Sequence, residues 1–379
     1  MRIAVFGLAV CVVCSVGCRK RNSEVEAERA KAAAAKQAGA TKVDTGFGPA
    51  AWLVDATRVV AVKDHAGAPL IIAGGKGWLK TFRKDGTVVS SVKGVGLPQE
   101  MELIDVRGDA APELVVGWGR GRGAMAAPSK LLIHDLSDLN ANVERVPMPR
   151  TKRADMRGIA RAGAKGSLFV AVFDSKYMVS VLEATRGADG TWTTKKHTRA
   201  RVVLGLSAAD VNKDGVVDVL LARPYGDKQD EPGMVVRMQN GKTENLPSER
   251  GARAVLALPG AVVMADGWHR NYGRHAKALI SRVEWTGSAW KRTVLADVAK
   301  RHGYARLRAG DVNGDGALDI VAVGDGPVVS VPLAGGAVSR LTDGKARVID
   351  AFPVDLDGDG KDEVVIVGES PRIWGLSNR

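Results

Sequence analysis

The chain has 379 residues and a formal net charge of +13 at pH 7. All three cysteines, Cys11, Cys14 and Cys18, lie near its start, which excludes a disulfide-stapled fold for the remainder and leaves the core or bound metal to stabilise it. The length exceeds that of most single cores, yet no Pro/Ser-rich linker divides the chain. The positive charge favours anionic partners, with ordinary solubility as the alternative.

Residues 1–17 are predicted to be a secretion signal. Arg2 gives a basic start, an apolar stretch follows from Ile3 to Val16, and small residues precede Cys18. The segment "SVGC" resembles the lipobox of bacterial lipoproteins, although that family prefers Leu where Ser15 stands. The resemblance implies a lipid anchor on Cys18 and a place in the cell envelope, in the outer rather than the inner membrane because Arg19 follows. A plain signal peptide and an uncleaved anchor are the alternatives.

Residues 18–46 are predicted to form a flexible tether. They contain almost no large apolar side chains and are rich in Ala, Glu and Lys, so they have little to bury and only a local tendency to form helix.

An acidic motif recurs after the tether. The copy at 311–324, "DVNGDGALDIVAVG", places oxygen-bearing side chains at every second position and then enters an apolar run typical of a strand. It lacks the position-twelve glutamate and flanking helix of an EF-hand. Related segments begin at 210 and 355, a decayed one at 105, and degenerate ones at 61, 159 and 258. The chain therefore contains seven repeat units.

Each unit is predicted to contain four strands: one before the acidic motif, the apolar run after it, and a hairpin with turns such as "DG" at 85–86. The last unit is short of one strand, which residues 49–56, "PAAWLVDA", can donate. We therefore expect an all-β fold over 47–379, a seven-bladed β-propeller of four-stranded antiparallel blades whose ring is closed by an N-terminal strand. Six or eight blades are the alternatives.

The motif, D-x-[DN]-G-D-G-x-x-[DE] before an apolar run, resembles the FG-GAP/VCBS repeats found in the propellers of integrin α subunits. The resemblance covers most of the chain after residue 50 and is strongest in units 4, 6 and 7. It implies Ca²⁺ sites in those three units. The implied ligands are Asp210, Asn212, Asp214 and Asp218 in unit 4; Asp311, Asn313, Asp315 and Asp319 in unit 6; and Asp355, Asp357, Asp359 and Glu363 in unit 7.

These Ca²⁺ sites are expected to be structural, because crowded carboxylates repel one another until a cation neutralises them, and the loops lack the His or Cys ligands of redox or catalytic metals. Unit 7 offers more carboxylates than units 4 and 6, so it should bind Ca²⁺ most tightly. Metal-free polar turns are the alternative. In unit 2, Arg107 stands between Asp105 and Asp109 and is expected to replace the cation by an internal salt bridge.

The loops between the second and third strands should open on the face opposite the acidic loops. Three of them interleave aromatic residues with arginine and histidine, a composition suited to sugar rings and anionic groups. The candidate ligand-binding residues are Trp118, Arg120, Arg122, Arg223, Tyr225, Trp268, His269, Arg270, Tyr272, Arg274 and His275. The alternative is that the tryptophans pack as plugs at the blade ends and the arginines are solvated.

The sequence thus predicts a calcium-stabilised, envelope-anchored propeller that acts as a monomeric binding or scaffold module for an acidic glycan or an envelope protein, and not as an enzyme. One alternative is a polysaccharide lyase or hydrolase that uses His269, Tyr272 and His275 for acid–base chemistry. Nucleic-acid binding is supported by charge alone and is the weaker hypothesis.

Overall fold

The computed structural model describes residues 47–64, 67–93, 96–119, 130–149, 155–163, 166–173, 178–226, 232–249, 251–266, 277–300 and 303–375. They belong to a compact unit that spans Lys42–Arg379. The predicted signal segment 1–17, Cys18 and most of the tether lie outside the described residues. Within the described part of the chain, no helix combines the length and the apolar character of a membrane span.

The described residues form seven antiparallel sheets of four strands each, numbered here as blades 1 to 7 in chain order. The strands of blades 1 to 4 are Ala56–Lys63, Pro69–Gly75, Trp78–Phe82 and Val88–Lys93; Leu97–Ile104, Glu113–Gly119, Lys130–His134 and Glu144–Val146; Met156–Arg161, Ser167–Phe173, Met178–Arg186 and Trp192–Arg201; Gly205–Ala209, Asp218–Tyr225, Pro232–Gln239 and Lys242–Leu246. Those of blades 5 to 7 are Ala252–Leu258, Ala261–Asp266, Lys277–Trp285 and Trp290–Lys300; Tyr304–Gly310, Asp319–Gly324, Val329–Pro332 and Ser339–Arg340; Val348–Val354, Glu363–Gly368, Arg372–Trp374 and Phe47–Pro49.

The blades form a closed ring. The first strand of each blade contacts the first strand of the next, and the first strand of blade 7 contacts that of blade 1. Blades 1 to 6 pair their strands in sequence order, and blade 7 adds Phe47–Pro49 to the outer edge of its other three strands. The first strand of each blade, as numbered here, is therefore the innermost and the fourth the outermost. The predicted all-β propeller is therefore confirmed with seven blades, and the alternatives of six or eight are wrong.

The outer strand of blade 7 comes from the start of the described chain. Phe47 pairs with Trp374 and Pro49 with Arg372. The segment predicted for this role, 49–56, is placed too far along the chain, because Ala51–Leu53 instead form one 3₁₀ turn. Ala50 and Leu53 are fully buried in the apolar cluster between blades 7 and 1, so these residues serve as core.

The second strand of each blade is its most buried element. Every residue of Glu113–Gly119, Ser167–Phe173 and Ala261–Asp266 is buried. Because successive side chains of a strand point to opposite faces, burial of every residue requires a neighbour on both faces of the blade. This explains why the sequence shows continuous apolar runs there and alternating patterns in the outer hairpins.

The core is divided among the interfaces between blades. Seven clusters of buried apolar side chains are present, and each combines residues from two neighbouring blades. The cluster between blades 6 and 7, for example, packs Val321 and Val323 against Val364 and Ile366. Each blade therefore depends on both neighbours for its stability, as expected for a repeat fold.

Ion pairs cross the axis of the ring. Arg306 of blade 6 binds Glu100 of blade 2 through two contacts, of 2.9 and 3.2 Å between its Nη atoms and the carboxylate oxygens. Arg308 Nη1 lies 2.8 Å from Glu102 Oε1. Blades 2 and 6 are not neighbours, since blades 7 and 1 lie between them, so these pairs join opposite sides of the channel. We call this group the axial cluster; its members are Arg58, Glu100, Glu102, Arg306, Arg308 and Asp350.

The axial charges strongly influence one another. Burial and the adjacent charge of Arg306 lower the pKa of Arg58 to about 10, although Glu100 and Asp350 oppose that shift. Burial acts to raise the pKa of Glu100, but the charges of Arg306 and Arg58 outweigh it and leave that pKa below its ordinary value. The pKa of Arg306 is raised: burial opposes its charge, and the Glu100 and Asp350 carboxylates more than compensate. All three side chains are therefore ionised at neutral pH.

Candidate functional site

The acidic loops connect the first and second strands of blades 2, 4, 6 and 7, at residues 105–112, 210–217, 311–318 and 355–362. Because the blades share one strand order around the ring, these connections lie on one face of the propeller, which we call the acidic-loop face. The connections between second and third strands lie on the opposite face.

The ninth residue of each acidic motif has the same role in all four loops. Its carboxylate accepts a hydrogen bond from the backbone amide of the second residue. These bonds are Val106–Glu113 at 2.9 Å, Val211–Asp218 at 3.1 Å, Val312–Asp319 at 3.1 Å and Leu356–Glu363 at 2.7 Å. Burial raises the pKa of all four carboxyl groups. Each loop therefore contains a buried acid whose ionised form is costly unless a cation lies beside it.

Unit 7 has a donor set that fits a divalent cation. One oxygen from each of Asp355, Asp357 and Glu363 lies within 4.8 Å of the others. Carboxylate oxygens in such a cluster are the hard ligands that Ca²⁺ prefers. Asp359, the fourth predicted ligand, accepts a hydrogen bond from the Lys361 amide at 2.9 Å. Lys63 Nζ of blade 1 lies 3.0 Å from Asp355, so a neighbouring blade also contributes positive charge.

Unit 6 gathers its four predicted ligands in one turn. Asp311 accepts hydrogen bonds from the amides of Gly314 and Gly316, both at 2.8 Å. Gly316 has a φ of 79°, which few other residues adopt without strain. The Asn313 side chain donates to Asp315 at 3.0 Å, and its backbone amide donates to Asp319 at 3.1 Å. This turn brings the predicted oxygens together.

Unit 4 combines a buried oxygen that lacks a hydrogen-bond partner with an arginine. Asn212 Oδ1 is buried without a hydrogen-bond partner among the described residues. Arg237 Nε, from the third strand of the same blade, lies 2.8 Å from Asp218 Oδ1, although the pair is not aligned as a hydrogen bond. Gln239 donates to Asp214 at 2.7 Å. A positive side chain thus already stands beside the buried carboxylate.

Unit 2 contains the arginine that the sequence indicated, with partly different partners. Arg107 Nη1 lies 3.3 Å from Glu113 and 3.5 Å from Asp135, and its Nε lies 3.4 Å from Glu144. The two aspartates that were predicted to pair with Arg107 are held by backbone amides instead. Asp105 accepts a hydrogen bond from the Ala110 amide at 3.2 Å, and Asp109 accepts one from the Ala111 amide at 3.0 Å. Arg107 therefore joins the loop to the outer hairpin of blade 2.

Most of the predicted ligand-binding residues lie outside the described residues: Arg120, Arg122, Trp268, His269, Arg270, Tyr272, Arg274 and His275. Tyr225 ends the second strand of blade 4.

Trp118 is only 3% exposed and packs in the apolar cluster between blades 1 and 2, so its assignment to an exposed ligand face is wrong. The physical reason is that it belongs to a second strand that neighbouring blades cover on both faces.

Arg223 lies in a groove between blades 3 and 4, on the flank of the ring, lined by the third and fourth strands of both blades and the second strand of blade 4. The groove has a volume of about 640 Å³. Its apolar part consists of Leu221, Val236 and Met238, which are buried, and Met178 and Met234, which are half-buried. Its basic part consists of Arg199, Arg201 and Arg223, where Arg223 Nε donates to the Arg201 carbonyl at 3.2 Å. We call it the blade 3–4 groove.

Sequence reasoning identified Arg223 but missed the methionines and Arg237. The three methionines lie on two blades and are separated along the chain, so their proximity depends on how the blades pack. Arg237 lies on a different strand from Asp218. The sequence signal for their contact is the expected hairpin, in which Arg237 pairs with Leu220, two residues after Asp218.

No family model matches the chain, and no curated protein matches it. Among solved structures, the chain is similar to two crystal structures of BBS1N in complex with ARL6DN. The lead-soaked one is 12% identical, with a TM-score of 0.53, and the match covers 90% of this chain and 98% of that one. The mercury-soaked one is 10% identical, with a TM-score of 0.53 and coverages of 89% and 96%. At such identities the similarity shows the fold alone, and the chain is a seven-bladed β-propeller.

The arrangement in unit 4 predicts that Arg237 competes with a cation for Asp218. In the Arg237→Gln variant the buried carboxylate loses its positive neighbour, so we expect lower thermal stability than wild type in EDTA and a larger gain in melting temperature on adding Ca²⁺. Differential scanning calorimetry with and without Ca²⁺ measures both. Arg282→Gln, in the third strand of blade 5, is the matched control because that blade has no acidic loop. An equal calcium-dependent gain in wild type and Arg237→Gln would contradict the prediction.

Proposed function

We propose that this chain is a protein-binding scaffold: a propeller stapled by Ca²⁺ on the acidic-loop face that docks a partner protein in the blade 3–4 groove on its flank. The observation that carries the proposal is the groove itself, an apolar cleft with a basic rim on the surface of a rigid ring. Binding residues are commonly found on the surface of a rigid scaffold rather than in its core.

The apolar part of the groove suits an inserted side chain. Met178 and Met234 are half-buried at its edge, while Leu221 and Val236 form a buried floor. Methionine is flexible and polarisable, so it adapts to the shape of an apolar anchor residue from a partner. Such anchors in well-packed pockets supply most of the binding free energy at protein interfaces.

The basic part determines the charge of the partner. Arg199 is exposed on the outer strand of blade 3, and with Arg201 and Arg223 it forms the basic rim of the groove. A positive rim steers an acidic partner and fixes its register. We therefore expect a protein segment with one apolar anchor flanked by Asp or Glu. The structural neighbour BBS1N was crystallised in complex with a partner, ARL6DN, which supports protein as the class of ligand.

A glycan fits the groove less well. Sugar rings are usually held by stacking on aromatic side chains, and the lining residues of the blade 3–4 groove are aliphatic, polar or basic. Glycan binding through the loops at 120–129 and 267–276, and acid–base catalysis by His269, Tyr272 and His275, stay predictions about residues outside the described part of the chain.

The groove proposal is tested by site-specific photo-crosslinking of the exported chain in envelope extract. A benzoylphenylalanine at Thr198, in the groove, should give a discrete protein adduct, and one at Leu318, on the acidic-loop face, should not. Arg199→Glu should reduce the adduct about tenfold by charge repulsion, which corresponds to about 1.4 kcal/mol. Lys195→Glu, a charge reversal on the same strand outside the groove, should leave the yield unchanged.

Two outcomes would contradict the protein-binding proposal. The first is an equal adduct yield for Arg199→Glu and Lys195→Glu, since the rim would then have no part in recognition. The second is an adduct that resists protease but is destroyed by periodate, because the occupant would then be a glycan.

The calcium part of the proposal assigns the three acidic loops to an FG-GAP/VCBS-like repeat whose cations are structural. The donor set of unit 7, three clustered carboxylates, supports it most directly. Unit 6 holds its predicted ligands in one hydrogen-bonded turn, and unit 4 has a buried Asn212 Oδ1 with no hydrogen-bond partner among the described residues. Bound Ca²⁺ would neutralise carboxylates whose burial raises their pKa, and so stabilise the loops.

We predict that unit 7 binds Ca²⁺ most tightly, unit 6 less tightly and unit 4 least, because unit 7 has the most carboxylates and Arg237 competes in unit 4. Asp357→Asn should remove the tightest step of a calorimetric Ca²⁺ titration, with affinity reduced about tenfold or more. Asp315→Asn should remove a weaker step. Asp109→Asn, in the arginine-filled loop of unit 2, should leave the titration unchanged. Equal losses in the first two variants would show that the ranking is wrong.

The place of action follows from the N-terminal pattern. We propose that Cys18 carries a lipid that tethers the propeller to the cell envelope, with the outer membrane favoured by Arg19. Mass spectrometry of the mature protein should show an acylated N-terminal Cys18, and Cys18→Ala should release the chain from the membrane fraction. A mature protein whose first residue is not Cys18, or a Cys18→Ala variant that stays in the membrane fraction, would contradict the proposed lipid anchor.

A further inference from the structure

A second cavity lies on the axis of the ring. It has a volume of about 630 Å³ and is lined by the first strands of all seven blades. The lining comes from the beginnings of those strands and from residues 323–325 at the end of a second strand. Because the acidic loops follow the other ends of the first strands, the cavity opens on the face opposite them. We call it the axial cavity.

The lining of the axial cavity is rich in arginine. Its arginines are Arg58, Arg157, Arg253, Arg306, Arg308 and Arg347, against four lining carboxylates and the buried Asp350, whose Oδ1 lies 3.7 Å from Arg306 Nε. Arginine presents five N–H donors in a planar fork and retains its charge when buried, so it recognises carboxylate and phosphate groups in preference to other chemistry.

All four carboxylates already have donors. Glu100 is held by both Nη atoms of Arg306, and Glu102 by Arg308. Asp155 accepts from the Gln99 amide at 2.9 Å, and Asp325 lies 3.4 Å from Arg253. Each acid of the cavity therefore already has at least one donor, and Glu100 has two.

The donors, in contrast, exceed the acceptors. Arg58 donates to two backbone carbonyls, those of Gln99 and Thr57, each at 2.6 Å, and forms no ion pair with a carboxylate among the described residues. Arg308 Nε and Nη2 are buried without a hydrogen-bond partner in the described part of the chain. Buried N–H groups of a guanidinium that lack an acceptor are costly, so the site favours a ligand that supplies one.

We propose that the axial cavity binds a small anionic molecule, whose carboxylate or phosphate group accepts hydrogen bonds from Arg58 and is attracted by the charge of the surrounding arginines. The volume lies within the usual range for small-molecule sites, roughly 300 to 1,000 Å³. The ring of first strands fixes the arginines before the ligand arrives, which reduces the entropy lost on binding. This site is separate from the blade 3–4 groove, so either proposal can fail without the other.

The test is isothermal titration calorimetry of the exported chain with two probes, citrate for a carboxylate source and inorganic phosphate for a phosphate source. We expect one of them to bind saturably at one site per chain, and Arg58→Gln to weaken that binding about tenfold or more. Arg282→Gln, a half-buried arginine outside the cavity, is the control and should bind as wild type does. The titrations are made in Ca²⁺-free buffer, because citrate chelates Ca²⁺ and phosphate precipitates it.

Each outcome decides the proposal. Binding of citrate alone assigns the site to carboxylates, and binding of phosphate alone assigns it to phosphate groups. If Arg58→Gln does not fold, Arg347→Gln provides the second variant, since Arg347 is exposed at the cavity and its loss should weaken binding several-fold without disturbing the axial ion pairs. Absence of saturable binding for both probes, or equal affinities in the cavity variants and the control, would show that water alone fills the cavity.

Discussion

The burial of apolar surface between neighbouring blades is the interaction on which the whole molecule depends. Seven apolar clusters each join two blades, and the second strands are covered on both faces. No blade can bury its second strand alone, so stability arises only when the ring is complete. The pairing of Phe47–Pro49 with Arg372–Trp374 matters for the same reason, because it gives blade 7 its outer strand.

This closed ring separates two kinds of electrostatics. One face contains acidic loops with buried carboxylates, whereas the groove on the flank and the cavity on the axis are rich in arginine. Within the acidic loops, Arg107 and Arg237 stand beside the ninth-position acids of units 2 and 4, whereas unit 7 clusters the oxygens of three carboxylates. In units 2 and 4 an arginine supplies the positive charge that the buried acid requires.

Much of the fold could be predicted from local patterns. Strand identity depends on side-chain alternation and on turn residues, both readable within a few positions, and the repeat spacing then sets the number of blades. The predictions were wrong where burial by other blades decides the outcome. Residues 51–53 form a 3₁₀ turn instead of a strand because Leu53 is needed in the core, and Trp118 is buried although its neighbours in sequence suggest an exposed loop. Composition of a short segment carries no information on which blade will cover it.

The sequence by itself determined the seven-unit repeat, the strands and the positions of the acidic motifs, because these depend on contacts between residues close along the chain. The tertiary structure alone decided which distant charges meet. Arg306 and Glu100 are 206 positions apart, and only closure of the ring brings them to opposite sides of one channel. Likewise, the methionines and arginines of the blade 3–4 groove belong to two blades and become one surface only when those blades pack. The candidate binding sites are therefore products of the ring, which no single repeat encodes.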